Sequence, residues 1–281
     1  MTETFRFAPS PTGPLHLGHA FSAITAFEQA RATGGRFLLR IEDIDHTRAR
    51  PQWEDAIFDD LKWLGLSWDA PVLRQSTRMD AYTAALETLR DQGLLYTCSC
   101  KRRDIDQALS ATQEGVTFGP DGPVYPGTCR SNRIAPGAPL PTGQAIRLDM
   151  AAAATAPVTY TETGNAPGPK TKTPEALISQ IGDVVLARRD YPTSYHLAVV
   201  VDDAHQSVTH VTRGEDLAEA TPIHALLQTR LGLPTPRYHH HRLIRDEAGK
   251  RLAKRDDARA LSRYRAEGAS PADIRAMIGL K

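Results

Sequence analysis

Three groups of residues in this sequence have the types and spacing of chemistry. His16 and His19 stand three apart with Gly18 between them, at the end of the run Arg6-Phe7-Ala8-Pro9-Ser10-Pro11-Thr12-Gly13-Pro14-Leu15-His16-Leu17-Gly18-His19. At a helix start that spacing puts both imidazoles on one side, and the glycine leaves room for a flat ligand near the backbone. Helix-start amides and imidazoles together suit a phosphate; two surface histidines beside a Pro-rich turn are the plain alternative. Far along the chain, Lys250-Arg251-Leu252-Ala253-Lys254-Arg255 is a dense cationic run, and basic residues outnumber acidic ones from 245 to 265. A cationic loop can meet the charge that builds on a departing phosphate group. With Lys101-Arg102-Arg103 it could also touch an RNA backbone, or it is a solvated basic loop.

The third group is Cys98, Cys100 and Cys129, all the cysteines of the chain, within one short window. An odd number argues against a disulfide framework. Three thiols on irregular backbone suit a structural zinc, which takes four donors in a tetrahedron. No histidine lies between 100 and 129, so the fourth donor is Tyr125, on a Gly/Pro-rich loop, or water. Three buried cysteines without a ligand are the alternative. Arg213 is followed by Glu215 and Asp216, and so reads either as a salt bridge or as a ligand contact. His239, His240 and His241 point alternately along a strand and cannot converge on one ion; they read as strand residues near a nucleotide.

The elements that must place these residues follow from periodicity. Phe5 and Phe7 alternate in a strand that breaks at Pro9, and a helix runs from Leu15 to Gly34-Gly35 with Leu15, Phe21, Ile24 and Phe27 on one face. A second strand over 36–43 ends in Glu42 and Asp43. Strand–helix–strand is a parallel βαβ unit, whose ligands sit past the strand ends, where Ser10 and Glu42 lie. Helices are predicted over 52–64 and 77–92, the latter capped by Ser76. Between about 98 and 178 Gly and Pro cluster and the pattern is lost, as in an insertion outside the sheet. Regular pattern returns at 183–188 and 195–201, a strand over 208–216, a helix over 222–230 and a last strand ending at Leu243-Ile244.

Charge excludes little: 34 Lys and Arg against 33 Asp and Glu leave a net +1, so a nucleic-acid partner must be argued from local patches. The N-terminus has no apolar signal region, and no apolar run has the length of a membrane span. A cytoplasmic protein without membrane contact is expected.

The run from Arg6 to His19 resembles the HIGH-type signature of class I aminoacyl-tRNA synthetases, in the glutamyl form R-F-A-P-S-P-T-G-x-L-H-[LI]-G-H. Arg251-Leu252-Ala253-Lys254-Arg255 resembles the KMSKS-type loop, whose glutamyl form is often K-L-S-K-[RQ]. It departs twice, with Arg251 for the first lysine and Ala253 for the serine. Arginine keeps the cation but changes its shape, and Ala253 lacks a hydroxyl that could bond phosphate. Lys254 is retained. Cys98-x-Cys100 with Tyr125-x-x-x-Cys129 is similar to a zinc site that part of the family carries in this place.

The resemblance implies an α/β fold: a Rossmann-like class I synthetase catalytic domain with an inserted, zinc-bearing, acceptor-binding-like segment. Residues 1–97 and 179–281 would be its two halves and 98–178 the insertion. It places L-glutamate on Arg6, Phe7, Ala8, Pro9, Ser10, Glu42, Tyr195 and Arg213, the two arginines suiting carboxylates and Glu42 the ammonium. It places ATP, with Mg²⁺, on His16, Gly18, His19 and Lys254. Lys254, His16 and His19 would be catalytic, and Cys98, Cys100, Tyr125 and Cys129 would hold one structural zinc. The chain ends soon after Lys254, too early for an anticodon-binding domain. That points to the short members of the family, monomers that activate glutamate without tRNA. They pass it to the queuosine base at the wobble position of tRNA(Asp). Two rivals differ in class: another nucleotidyltransferase with H-x-G-H, and a non-catalytic RNA-binding paralogue, which Arg251 and Ala253 alone favour. ATP–pyrophosphate exchange separates an enzyme from the latter.

Overall fold

Thr4, Phe5, Arg6 and Phe7 are all buried, the pattern of a central parallel strand covered on both faces. The computed structural model describes residues 2–110, 116–245 and 259–280. In chain order these form β1 (Thr4–Phe7), α1 (Leu17–Ala32), β2 (Arg36–Ile41), α2 (Pro51–Trp63), β3 (Leu73–Arg74), α3 (Met79–Asp91) and β4 (Leu95–Cys98). Then come α4 (Arg102–Ser110), β5 (Phe118–Gly119), β6 (Gly122–Pro123), β7 (Ala145–Leu148), α5 (Met150–Ala153), β8 (Val158–Glu162), β9 (Gly168–Lys172), α6 (Pro174–Gln180) and β10 (Val185–Ala187). The chain closes with α7 (Tyr195–His205), β11 (His210–Gly214), α8 (Thr221–Leu231), β12 (Arg237–His241), α9 (Leu261–Ala266) and α10 (Pro271–Met277).

The main sheet has the order β3-β2-β1-β11-β12-β8-β9, parallel throughout except for β9 against β8. Side chains alternate across it. Phe5, Phe7, Phe37, Leu39 and Ile41 pack with Leu17, Phe21 and Ile24 of α1, with Ile57 and Leu61 of α2, and with Leu261 and Ile274 near the C-terminus. Arg6 and Arg40, one position out of phase, turn to the other face and reach Asp203 of α7. Strand order reverses between β1 and β11, and parallel sheets bind ligands past their carboxyl ends at such a reversal. This is the Rossmann-like arrangement expected.

A smaller antiparallel sheet, β10-β7-β4, carries Cys98 at the end of β4, and β5 and β6 form a hairpin. The segment between 98 and 178 does not lie wholly outside the main sheet as expected. Its β8 pairs in parallel with β12 through Glu162 and Tyr238, and β9 follows as the sheet edge. Without β8, the N–H and C=O groups along β12 would be an unpaired edge. Two boundaries also shift. The helix expected from 77 begins at Met79, because residues 75–77 form a 3-10 turn in which Ser76 bonds Asp43 through its N–H (2.8 Å) and hydroxyl (2.5 Å). The last strand ends at His241, not at Ile244. Among the described residues no helix is long and apolar enough to cross a membrane.

Candidate active site

A cavity of about 520 Å³ opens where the strand order reverses. Arg6, Phe7, Ala8, Pro9 and Ser10 line it from the end of β1, His16, Gly18 and His19 from the start of α1, Glu42 from just past β2, Tyr195 from the start of α7 and Arg213 from β11. Every residue predicted for the substrate and nucleotide, apart from Lys254, therefore faces one space. Lys254 and the rest of the basic run lie outside the described residues. Their flanks do not: Leu243 and Ile244 line the cavity, and Ala260 forms a bridge with His16 while the Leu261 N–H donates to Leu15 O at 2.8 Å. The described residues on either side of that run therefore lie beside the first signature.

The loop after β1 is held through the carbonyls of its prolines, which have no N–H to donate. Glu42 N–H donates to Pro9 O at 3.0 Å, and Arg50 N–H to Pro11 O at 3.0 Å. At the helix start His16 is the N-cap. Its Nδ1 accepts from the Gly18 N–H at 3.1 Å, and Nδ1 of His19 accepts from the His16 N–H at 3.1 Å, closing a capping box. Contact with a ligand therefore falls to the Nε2 edges of the two rings, which are tilted at 38° with centroids 3.8 Å apart. Gly18 lines the cavity, and a Cβ there would stand 3.0 Å from Cε1 of His16, so the glycine also makes room for the cap's own ring.

The cavity floor is a buried charge network that sequence reasoning missed in part. Asp203 accepts from Nε of Arg6 (3.1 Å) and Nη1 of Arg40 (2.7 Å), and Nη2 of Arg40 reaches Glu42 at 3.2 Å. Burial pushes the Glu42 carboxyl above its ordinary range against the pull of Arg40 and Arg6. Burial likewise opposes the charge on Asp203, but the two arginines prevail and hold it below the usual range. The only sequence sign of Asp203 was an apolar helical run ending in two acids. Arg213 does not pair with Glu215 or Asp216. Its donors go to the Tyr195 hydroxyl (3.4 Å), His224 Nδ1 (3.2 Å), His240 Nε2 (3.2 Å), Leu217 O (3.1 Å) and the Thr221 hydroxyl (2.7 Å), none of them an acid. Of the three guanidinium groups, Arg6 and Arg40 bond carboxylates directly and Arg213 does not. A ligand carboxylate answers that gap.

Away from the cavity, the three cysteine sulfurs lie within 4.8 Å of one another. The Cys100 and Cys129 sulfurs are 3.4 Å apart, and Oη of Tyr125 is 3.4 Å from the sulfurs of Cys98 and Cys100. A tetrahedral ion with bonds of about 2.3 Å spaces its donors roughly 3.7 Å apart, so these four groups fit zinc. Burial raises the Tyr125 phenol, with the neighbouring thiols adding to it. Burial alone would raise Cys129 as well, but hydrogen bonds from Tyr125, the Ser99 backbone and the other thiols bring it down to about 7. The Arg147 guanidinium sits 3.9 Å over the Tyr125 ring, which favours a phenolate.

Residues 3–281 match the family model for tRNA synthetases class I (E and Q), catalytic domain. The chain is 66% identical to the Glutamyl-Q tRNA(Asp) synthetase of Rhodobacter capsulatus, over 98% of this chain and 99% of that protein. It is 43% identical to the protein of the same name from Nocardia farcinica, over 97% and 82%. The crystal structure of the glutamate-tRNA synthetase of Elizabethkingia anophelis superposes with a TM-score of 0.77 at 28% identity, covering 99% of this chain and 61% of that one. With a methionyl-tRNA synthetase from Mycobacterium tuberculosis the chain shares the fold alone, at a TM-score of 0.62 and 11% identity. From the switch-point cavity, the capped histidine pair and this full-length match, the chain belongs to the catalytic-domain family of class I tRNA synthetases for glutamate and glutamine.

Proposed function

We propose that this protein activates L-glutamate with ATP, without tRNA, and transfers it to the queuosine base at the wobble position of tRNA(Asp). The observation that carries the glutamate reading is Arg213, a buried cation with no direct acidic partner that lines the cavity. Glutamate brings a carboxylate to pair with it, a second carboxylate and one ammonium. Arg213 and Arg6 meet the carboxylates, Glu42 holds the ammonium, and Tyr195 closes the side of the pocket, with Phe7, Ala8, Pro9 and Ser10 as its wall.

In the first step an α-carboxylate oxygen forms a bond to the α-phosphorus of ATP. The bond from that phosphorus to the bridging oxygen breaks, and pyrophosphate leaves with the charge. Mg²⁺ bound with ATP supplies countercharge to the phosphates. The Nε2 edges of His16 and His19, above the amides of the first turn of α1, contact those phosphates, and Lys254 meets the charge that builds as they depart. Positioning and charge stabilisation suffice, with no covalent enzyme intermediate. The segment 98–178 carries one zinc on Cys98, Cys100, Tyr125 and Cys129, which joins the end of β4 to the loop at 125–129 and performs no chemistry. That segment faces the acceptor nucleotide, and the protein acts as a cytoplasmic monomer.

Glutamate-dependent ATP–pyrophosphate exchange without tRNA, followed by charging of queuosine-containing and queuosine-free tRNA(Asp), tests this. Exchange with charging of the queuosine form alone supports the whole reading. Exchange with charging of tRNA(Glu) would make the acceptor assignment wrong. No exchange would remove the enzyme reading altogether.

A further inference from the structure

Arg213 is the junction of two hydrogen-bonded chains, each ending in a carboxylate. Guanidinium has donors and no acceptor, so Nδ1 of His224, 3.2 Å from Nη1, must accept. The single proton of His224 then sits on Nε2 and points to Nδ1 of His196 at 3.1 Å. The proton of His196 sits in turn on Nε2 and faces Asp121, with Oδ2 at 2.9 Å and Oδ1 at 3.1 Å. Every link runs in one direction, from the cation to the acid. His196 and His224 are buried. Burial first, then the charge of Arg213, keeps His224 well below the ordinary imidazole range. The other chain is shorter: Nε of Arg213 donates to His240 Nε2, and Nδ1 of His240 bonds Glu162. Glu162 belongs to the main sheet and also accepts from the N–H groups of Gly164 (2.7 Å) and His240 (3.1 Å). Asp121 does not belong to that sheet. It is the exposed residue between β5 and β6, in the inserted segment, four positions before Tyr125.

We propose that Asp121 is a positioning residue for the glutamate site, acting from the inserted hairpin through His196 and His224 to hold the guanidinium of Arg213 in its ligand-binding pose. This rests on the reading that Arg213 receives a glutamate carboxylate. Without a strict acceptor at 121, His196 can carry its proton on Nδ1. His224 then carries its own on Nδ1, and two N–H groups face each other at 3.2 Å where one hydrogen bond stood. Nη1 must move away. Aspartate, which only accepts when ionised, forbids this; asparagine, which can donate as well, does not. The effect parallels the loss of correct tautomer when the acid of a Ser-His-Asp triad becomes an amide. Glutamate affinity is thereby made to depend on how the insertion is seated.

The test compares Asp121→Ala, Asp121→Asn and Asp121→Glu with an Arg213→Ala control, in pyrophosphate exchange and in calorimetric glutamate binding. The alanine and asparagine variants are expected to raise KM and Kd for glutamate roughly tenfold, the scale of one hydrogen bond to a charged group. KM for ATP and kcat should stay within about twofold, with glutamate at 121 restoring part of the loss. Long-range proton–nitrogen spectra of the imidazoles give a second readout: both histidines protonated on Nε2 in the wild type, with an Nδ1-protonated population appearing in Asp121→Asn. Wild-type glutamate affinity in both variants while Arg213→Ala loses binding would overturn the relay alone, as would an Nδ1-protonated His224 in the wild type. Unchanged glutamate binding in Arg213→Ala would instead overturn the reading of the pocket.

Discussion

Replacing Arg213 by alanine isolates the charge on which the glutamate reading depends. The guanidinium is buried and its partners are a carbonyl, two hydroxyls and two imidazoles, so no neighbouring acid takes over when it is removed. A ligand carboxylate entering the variant would lose water and find no cation. Breaking one side of a buried pair costs about 3–5 kcal/mol, which is roughly 10²- to 10⁴-fold in Kd. Arg213→Lys keeps the charge but has three donors on one ammonium in place of five on a planar fork. Losing the planar fork costs about 1.5–3 kcal/mol, so lysine should fall between wild type and alanine. The assay is glutamate-dependent pyrophosphate exchange at saturating ATP, with a thermal-shift titration by glutamate alongside. KM for glutamate should rise in the order arginine, lysine, alanine, while KM for ATP moves little. An alanine variant with glutamate KM within threefold of wild type would refute the assignment, because Arg6, the other arginine lining the cavity, is already bonded to Asp203.

Three further outcomes follow from the geometry. In Gly18→Ala the new methyl would meet the His16 ring at 3.0 Å. The ring must shift by a few tenths of an ångström, and exchange should drop through KM for ATP and kcat, with glutamate binding by calorimetry retained; an unchanged rate would mean the ring does not touch the nucleotide. Protein purified without chelator should hold one zinc per chain, and Cys129→Ser and Tyr125→Phe should lower that content or its retention against a chelator. Full occupancy in Tyr125→Phe would assign the fourth position to water. Asp60 is buried, its Oδ1 lacks a hydrogen bond, and Arg265 stands 3.8 Å away. Burial pushes its carboxyl up to about 6. A folded value above the unfolded one of about 3.9 means a contribution present below that pH and lost as pH rises through 6. The deficit at pH 8 is up to about 3 kcal/mol. Asp60→Asn should therefore stabilise the protein in denaturant titrations at pH 8 and do little at pH 4; an equal change at both would show that the charge is not the cause.

Local chemistry was legible in the sequence, and pairing across distance was not. The turn from Phe7 to His19 could be read because prolines, glycines and a capped helix start fix the chain within a few bonds. The cysteine cluster could be read because its members fall in one window. The membership of β8 in the main sheet could not, since a parallel pair such as Glu162 with Tyr238 is set by the register of strands far apart in sequence. Loss of regular pattern between 98 and 178 signals loops and says nothing of which sheet the strands between them join. The pairing of Arg213 stays open in the sequence for the same reason. Glu215 and Asp216 are its neighbours along the chain, but after Gly214 the backbone turns into a 3-10 segment, and the guanidinium reaches across it to Leu217 O and Thr221.

What the distant contacts add is an account of why the arginine can remain charged in so dry a place. A cation alone at 6% exposure would be expelled or paired directly with an acid. A direct pair would leave nothing for a substrate. Here the two acids that answer Arg213 are held one imidazole away at Glu162 and two imidazoles away at Asp121. Their fields offset part of the burial cost, while the intervening rings keep them off the ligand side of the guanidinium. The fork is thus fixed in direction by neutral groups, and a carboxylate from the cavity can take over the donor now given to the Tyr195 hydroxyl at 3.4 Å. Such a site can discriminate glutamate from glutamine. The uncharged amide would leave Arg213 without a directly paired carboxylate and would set its own N–H donors against those of Arg213.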